Sequence, residues 1–221
     1  MKNPRTKFRL PAVLSAWVIG LCQVLCLMGC QVYAQQIEKR YPGGQLKAKG
    51  VKEGSAKKGE WVYYYESGER SATENYVNGQ LNGEVRYWYP NSKAQAVEYW
   101  SAGALEDSAF YYHDNGSLEK KGRFSGGQYD GEWRHYFKSG LLERVVFYQN
   151  GLPEGTTRVY DESGTRIQEG AYHLGLEHGE WKFYNSQGEM EFIGQYENGK
   201  EAGTWYQMKK GKPRVYKTYD N

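Results

Sequence analysis

The residues whose chemistry could support catalysis are few, and they are scattered along the chain. There are four histidines and three cysteines: His113, His135, His173, His178, Cys22, Cys26 and Cys30. Zinc needs three or four converging ligands, and neither a cysteine nor a tight His-x-x-x-His pair occurs after residue 30. The chain also lacks a Gly-x-Ser-x-Gly elbow and a clustered phosphate-binding glycine loop. We therefore expect no catalytic residue, no metal site and no cofactor.

Aromatic side chains recur at a fixed spacing of 24 residues, which is a sign of tandem repeats. The first aromatic column contains Tyr64, Trp88, Tyr112, Tyr136, Tyr160 and Tyr184. The second aromatic column contains Tyr76, Trp100, Phe124, Tyr148, Tyr172 and Tyr196. The first column is preceded at a constant distance by basic residues in four of the units, namely Arg86, Arg134, Arg158 and Lys182. Tyrosine, tryptophan and arginine are the residues that most often anchor protein interfaces, so these ten positions are the predicted binding residues.

Three glycine columns keep the same 24-residue register and account for 18 of the 28 glycines. They begin at Gly44, Gly59 and Gly79. Ser92 and Asp107 replace glycine in two of these columns, which predicts a local distortion of the third unit. Between the columns, short runs rich in tyrosine, tryptophan and valine have the length of strands. Asn-Gly steps such as Asn150-Gly151 are strong hairpin-turn signals. Each unit is therefore predicted to be one β-hairpin.

The predicted fold is all-β, a single-layer antiparallel meander of tandem 24-residue hairpins with an elongated sheet of some 13 strands. One hairpin is marginal in water, so the units must fold by pairing with their neighbours. Six complete repeats occupy residues 59–202. An imperfect leading repeat, whose register drifts by one residue after Gly44, occupies 35–58, and a truncated capping repeat occupies 203–221.

Strand alternation predicts which side chains share a face of this sheet. Trp61, Trp133, Trp181 and Trp205 should lie on one face, and the first aromatic column with its basic neighbours on the other. With loops of three residues and no bulge, the second aromatic column falls on the same face as the first. A bulge in either turn would reverse that assignment.

The N-terminal segment is predicted to be an export signal. Residues 1–34 contain a basic start ending at Arg9, an apolar run from Leu10 to Gly29 and a Val32-Tyr33-Ala34 cleavage motif. Two alternatives remain open: Leu27-Met28-Gly29-Cys30 resembles a lipobox, which would make Cys30 a lipid anchor, and the apolar run is nearly long enough to be an uncleaved membrane anchor. The expected location is periplasmic or secreted, with membrane attachment only through such an anchor.

The charge of the chain argues against a nucleic-acid partner. The formal net charge is +3, but residues 1–34 hold four basic and no acidic side chains. The remainder carries 25 basic and 26 acidic side chains, so no positive field is left to neutralise phosphates or to attract anionic lipid.

The repeat resembles the MORN family, in the variant form found in many bacterial proteins. The resemblance rests on the pattern Tyr-x-x-Gly-x-x-x-Gly-Glu-Trp-x-x-Tyr-x-x-x-Gly, which residues 172–188 follow, and it extends over about residues 41–210. Relatives of this kind are described as interaction scaffolds, membrane-associated modules or immunity and antitoxin-like proteins. The resemblance thus implies binding rather than catalysis.

Three functions follow as expectations. The first is a non-catalytic protein–protein interaction scaffold at the bacterial cell envelope, whose partner the sequence does not identify. The second is binding of glycan or peptidoglycan along an aromatic stripe. The third, an immunity or antitoxin-like role, is implied by the resemblance alone.

Overall fold

The computed structural model describes residues 33–219, and that part of the chain contains strands and turns but no helix. The predicted signal peptide, the lipobox and Cys30 lie outside the described residues. Residues 33–219 form one sheet of 17 strands. The strands are β1 Ala34–Arg40, β2 Leu46–Glu53, β3 Ala56–Tyr64, β4 Arg70–Val77, β5 Gln80–Leu81, β6 Gly83–Trp88, β7 Ala94–Ser101, β8 Ala104–Tyr112, β9 Leu118–Ser125, β10 Gln128–Tyr136, β11 Leu142–Gln149, β12 Leu152–Tyr160, β13 Arg166–His173, β14 Leu176–Tyr184, β15 Met190–Glu197, β16 Lys200–Lys209 and β17 Lys212–Tyr219.

The sheet is an open antiparallel meander, as predicted, in which each strand pairs with the next one in sequence. β5 and β6 are two pieces of one strand, because both pair with β4 and only Asn82 separates them. The expectation of 13 strands was too low. Strands β1 and β2 at one end and β16 and β17 at the other extend the sheet beyond the six complete repeats.

The two turns of each unit differ in geometry. In the fourth unit the first turn spans residues 137–141, where the Phe137 N–H donates to the Leu141 carbonyl at 2.9 Å and Gly140 has φ +88°. The second turn has only two residues, Asn150 and Gly151, with φ values of +52° and +81°. Both positive angles fit the type I′ turn that Asn-Gly favours.

The third glycine column also connects neighbouring hairpins. The Gly151 N–H donates to the carbonyl of Tyr129 in the preceding hairpin at 3.0 Å. The same bond from the turn glycine to the carbonyl 22 residues earlier is present at Gly79, Gly103, Gly127, Gly175 and Gly199. Backbone hydrogen bonds thus join every complete repeat to its neighbour along one edge of the sheet.

The second and third units keep the geometry of the others although one glycine is replaced in each. Asp107 and Ser92 adopt φ values of +67° and +63°, close to the +70° of Gly131 at the position that matches Asp107. The left-handed backbone therefore persists without glycine, at a cost of about 1–2 kcal/mol per residue. The predicted distortion of the third unit was wrong. The leading repeat also keeps its register, because β2 pairs with β3 through the same pattern as the later units.

Most of the buried side chains lie in one row across the sheet. Trp61, Trp133 and Trp181 are almost inaccessible to solvent, at 0–1% exposure. Each covers a glycine of the neighbouring strand eleven residues earlier, namely Gly50, Gly122 and Gly170, and Trp205 covers Gly194 in the same way. Where the row has no tryptophan, a side chain replaces the glycine, as in the pairs Glu98 with Ala109 and Val146 with Thr157. Glu74 and Val85 hold the corresponding positions one unit before Glu98 and Ala109. Large and small residues therefore alternate so that the row stays filled.

Candidate functional site

The sheet has two chemically different faces. The Trp face carries the row of buried tryptophans and most of the buried residues, including Ala72, Ala96 and Phe124. The charged face carries Glu132, Arg134 and the equivalent residues of the other units, because alternation places them opposite Trp133. The strand pairing thus agrees with the faces that the sequence predicted for the side chains of the first strand of each unit.

The second aromatic column lies on the Trp face, so its predicted assignment to the charged face was wrong. Tyr148 is on the same strand face as Val146, which pairs directly with Trp133. The Phe124 ring meets the Trp133 ring edge-on at 5.1 Å, and Tyr172 and Tyr196 approach Trp181 at 5.4 and 5.7 Å. The reason is a bulge after the first turn. Tyr136 pairs with Leu142 and His135 with Arg144, which leaves Glu143 without a partner across the strands. This extra residue moves the side chains that follow it in the returning strand to the opposite face of the sheet.

The charged face contains the ten predicted binding residues. The six aromatic side chains of the first column are half-buried, and Arg86, Arg134 and Arg158 are exposed. Arginines of the returning strands stack on this column, with Arg166 at 4.8 Å from the Tyr184 ring and Arg70 at 5.6 Å from the Trp88 ring. We refer to the ten predicted residues together as the charged stripe.

Three of the four basic residues of the charged stripe form ion pairs within their own strand. Arg86 meets Glu84 at 2.5 Å, Arg134 meets Glu132 at 2.6 Å, and Lys182 meets Glu180 at 2.9 Å. The hydrogen bond and charge of Glu132 raise the pKa of Arg134, and the hydrogen bond from Arg86 lowers the pKa of the Glu84 carboxyl. Arg134 and Glu84 therefore stay charged at neutral pH. The stripe therefore presents paired charges beside aromatic rings.

Two shallow depressions on the charged face repeat at a spacing of 48 residues. One of about 270 Å³ is lined by Thr156, Thr157, Arg158, Glu169, Gly170, Ala171, Glu180 and Lys182. The other, of about 460 Å³, is lined by Ser108, Phe110, Lys121, Gly122, Arg123, Glu132 and Arg134. Both are centred on a glycine that a tryptophan covers from the other face, because a glycine leaves no side chain on either side. The depressions are grooves on an open surface.

The Trp face also contains charged residues that sequence reasoning missed. Glu74 and Glu98 occupy the positions that glycine holds at 122 and 170, and Glu98 is only 9% exposed. Glu98 accepts hydrogen bonds from the Tyr111 hydroxyl at 2.8 Å and the Trp100 indole at 3.1 Å. The available signal was the 24-residue spacing between the two glutamates in a column otherwise occupied by glycine or valine.

The C-terminal end of the Trp face has its own aromatic depression, of about 460 Å³. It is lined by Phe183, Glu191, Phe192, Tyr196, Glu201, Trp205 and Tyr216. The rings of Phe192 and Tyr216 meet edge-on at 5.1 Å, and Tyr216 is 59% exposed. Aromatic surfaces and carboxylates thus occur together at this end.

The histidines contact other residues of the sheet. His113 Nε2 lies 2.9 Å from the Tyr136 carbonyl and so joins two successive units, while His173 Nδ1 lies 3.0 Å from Glu154. Burial, with the nearby charges of Arg144 and Lys120, lowers the pKa of His135 to about 4. Within residues 33–219, no three His, Cys, Asp or Glu side chains are placed to hold a metal ion. The same residues include no helix that is long and apolar enough to cross a bilayer.

Comparison with known proteins identifies the repeat type. Residues 57–78, 129–150 and 177–198 match the family described as the MORN repeat variant, which agrees with the resemblance seen in the sequence. Repeats of this type are non-enzymatic and generally bind proteins or membranes. A comparison with curated protein sequences finds no match.

Some solved structures of much larger proteins share distant similarity. The crystal structure of TcdB2-TccC3 is 11% identical with a TM-score of 0.18, and the match covers 80% of this chain and 13% of that one. The Tc holotoxin pore of Photorhabdus luminescens, with the mutation TccC3-D651A, is 12% identical with a TM-score of 0.15, and the match covers 80% and 12% of the two chains. The chain thus spans about an eighth of these proteins, and scores this low say nothing about its fold or function.

Proposed function

We propose that this chain, whose repeats are of the MORN variant type, is an exported, non-catalytic scaffold that binds a protein partner along the charged stripe. One observation supports this choice of face above all. The Trp face already supplies nearly all of the buried core, yet a continuous column of half-exposed aromatic residues remains on the charged face. Half-exposed aromatic side chains flanked by arginine are typical of interface anchors.

The geometry of the stripe suits an extended partner. The 24-residue repeat presents the same aromatic and basic groups at regular intervals, and the two depressions repeat at twice that spacing. An elongated partner segment can therefore contact several units at once, and the effects of weak contacts combine. The basic residues of the stripe can leave their own glutamates and pair with carboxylates of the partner, because exposed ion pairs contribute only about 0–1 kcal/mol each.

Export to the cell envelope is the second part of the proposal. It rests on the sequence of residues 1–34, with its basic start, apolar run and Val32-Tyr33-Ala34 motif. Fractionation of cells that produce the full chain would test it, together with the Cys30→Ser variant. Release of that variant from the membrane fraction would indicate a lipid anchor, and retention of the protein in the cytoplasm would contradict export.

The experiment that tests the binding face compares the two sides of the sheet. A photo-crosslinking residue is placed at Arg134 on the charged face or at Phe183 on the Trp face, and each protein is exposed to envelope extract. We expect a discrete crosslinked protein only from position 134. The Tyr136→Ala, Tyr160→Ala variant should lose this product while its circular dichroism stays unchanged. Equal or stronger crosslinking from position 183 would contradict the proposal.

A glycan is the second candidate partner, and the C-terminal aromatic depression is the observation that favours it. Phe192 and Tyr216 offer ring surfaces beside the buried Trp205, and the Glu191 and Glu201 carboxylates can accept hydrogen bonds from sugar hydroxyls. Soluble peptidoglycan fragments should then quench tryptophan fluorescence, and the Tyr216→Ala variant should reduce the effect. A lack of response to a panel of glycans would contradict this second function.

A further inference from the structure

The Trp face contains an aromatic cage that is occupied by a lysine of the chain itself. The Lys57 ammonium lies 4.3 Å from the centre of the Tyr76 ring, 5.1 Å from that of Tyr63 and 5.0 Å from that of Trp61. It donates hydrogen bonds to the Tyr63 and Tyr76 hydroxyls and lies 3.6 Å from the Glu74 carboxylate. This arrangement combines cation–π contacts with a carboxylate, which is how proteins hold organic ammonium ions.

The next unit keeps part of this cage without its cation. The counterparts 24 positions later include Glu98 for Glu74 and Tyr87 for Tyr63, whereas Val85 replaces the ring of Trp61. Tyr76 is replaced by Trp100, a better cation–π ring, whereas the lysine is replaced by Leu81. The cage around Glu98 therefore keeps a carboxylate and two of the three aromatic positions, has the Tyr111 hydroxyl on the carboxylate at 2.8 Å, and lacks the internal ammonium ion.

The hydrogen-bond partners of the Glu98 carboxyl are neutral groups. Among residues 33–219, no basic side chain forms an ion pair with Glu98, although the carboxylate is nine-tenths buried. Its partners are the neutral Tyr111 hydroxyl and Trp100 indole. Lys120 stacks on the Tyr111 ring at 4.5 Å without pairing with Glu98. A buried carboxylate without a cation is costly, and this cost is reduced when a cation binds.

We propose that the Glu98 cage, formed by Glu98, Tyr87, Trp100 and Tyr111, binds a primary alkylammonium group supplied by another molecule. The Lys57 cage shows the geometry expected of the bound group, because the lysine side chain is a butylammonium held in an equivalent site. This inference concerns the Trp face and is independent of the charged stripe proposed above. A free amine and a lysine side chain of a peptide share this chemistry.

The test is a titration of the purified chain with n-butylammonium chloride at constant ionic strength, followed by tryptophan fluorescence and by NMR. Butanol is the control, since it has the same alkyl chain without the charge. We expect saturable binding of butylammonium, no saturable binding of butanol, and a loss of about tenfold or more in affinity for Glu98→Gln, because a charge-assisted contact is lost. A parallel titration with Nα-acetyl-lysine amide distinguishes the sources: binding as tight as that of butylammonium indicates a peptide lysine, and weaker binding indicates a free amine.

Two further variants keep the test decisive if Glu98→Gln does not fold. Leu81→Lys recreates the internal cation of the first cage, so it should abolish butylammonium binding and raise the melting temperature. Lys57→Met empties the first cage, so it should create a second binding site. Equal affinity for butanol, or unchanged binding in the folded Leu81→Lys variant, would overturn the proposal.

Discussion

The indole of Trp181 lies directly on the backbone of Gly170, so closely that a Cβ atom added to Gly170 would be 2.2 Å from Cδ2 of the indole. The indole Nε1 donates to the carbonyl of Ala171 at 3.2 Å. The same two contacts hold Trp61, Trp133 and Trp205 in place, each on its own glycine and on the carbonyl that follows it. Glycine in this row is required by packing, because its backbone is extended and no left-handed angle is involved.

The first prediction is that Gly170 and Trp181 are energetically coupled. Gly170→Val should destabilise the protein by about 3 kcal/mol through overpacking. Trp181→Thr should cost about 3–5 kcal/mol through the cavity that it leaves. The double variant recreates the natural pair Val146 and Thr157, which occupies the equivalent positions one unit earlier. Chemical denaturation should show that it is more stable than the sum of the single changes predicts, by about 2 kcal/mol.

The matched control for this cycle combines Trp181→Thr with a glycine change far from the row. Gly164 has a positive φ of +86° in a turn and nothing within 4 Å of its added Cβ. Gly164→Val should therefore add to Trp181→Thr without coupling. Additivity within about 0.5 kcal/mol is the normal result for distant sites, so additivity in the Gly170 cycle as well would contradict the packing account.

The second prediction concerns the hydrogen bonds at the edge of the sheet that holds the first turns. Tyr41, Tyr65 and Tyr89 donate their hydroxyls to the carbonyl 23 residues later, at 2.6–2.9 Å, and His113 bonds the equivalent carbonyl. The matching residue of the next unit is Phe137, whose ring has no such donor. Phe137→Tyr should let the new hydroxyl reach the Tyr160 carbonyl, and should stabilise the protein by about 0.5–1.5 kcal/mol.

Thermal or chemical denaturation of Phe137→Tyr measures this gain, and Tyr89→Phe provides the reciprocal change. The reciprocal variant should lose a similar amount, because it removes the donor to Tyr112 at 2.8 Å. If both variants left the free energy of unfolding unchanged, the side-chain hydrogen bonds along this edge would be no stronger than the hydrogen bonds to water that replace them, and the prediction would be wrong.

The third prediction is a pH dependence due to His135. Burial lowers its pKa to about 4 in the folded chain, whereas an unfolded histidine titrates near 6.5. The unfolded state therefore binds more protons between these values, and stability falls as the pH decreases from about 6.5 to about 4. The expected loss is up to about 3 kcal/mol. His135→Phe should remove this part of the profile, since Phe183 occupies the equivalent position two units later.

The control for this profile is a histidine that lies at the surface. His178→Gln should keep the loss of stability between pH 6.5 and 4, because it leaves His135 unchanged. The measurement is a set of denaturation curves of the unchanged protein, His135→Phe and His178→Gln at several pH values. A profile that persists in His135→Phe would assign the dependence to other groups.

The repeat could be predicted from the sequence because both turns of each unit are marked by glycine at a constant spacing. Asn150-Gly151 and Gly140 carry positive backbone angles in the structure, as their residue types require. The faces of the first strand followed from simple alternation, and Glu132 and Arg134 lie opposite Trp133 as expected. The ten residues of the charged stripe were placed on one face for the same reason.

The second aromatic column could not be assigned in this way, because its face depends on one unpaired residue. Glu143 sits in a bulge beside the first turn, and nothing in its type distinguishes it from its neighbours. One extra residue moves every later side chain of the strand to the other face. The face had been inferred by counting residues through the turn without the bulge. That count placed Tyr148 and Tyr172 on the charged face instead of beside the tryptophans.

The carboxylates of the Trp face were missed for a different reason. A glutamate within a strand is normally read as a solvated charge, and Glu74 and Glu98 alternate with polar and aromatic neighbours. Only the pairing across strands shows that they share a row with Gly122 and Gly170, where Val85 and Ala109 leave room for their side chains. Burial of this kind depends on volumes in two strands at once, which a single-strand pattern does not contain.

The last prediction separates stability from binding on the charged face. Arg134 and Glu132 pair at 2.6 Å, but both side chains are 47% exposed, so the pair should contribute less than about 1 kcal/mol. Glu132→Gln and Arg134→Gln should therefore change the free energy of unfolding by no more than about 0.5 kcal/mol each, measured by denaturation. If the stripe binds a partner as proposed, Arg134→Gln should still weaken capture of that partner, because a basic anchor is lost. Glu132→Gln should leave capture equal or stronger, since it frees Arg134 to contact the partner. Weakened capture in both variants, accompanied by a loss of stability, would show that the ion pair supports the sheet and not the interface.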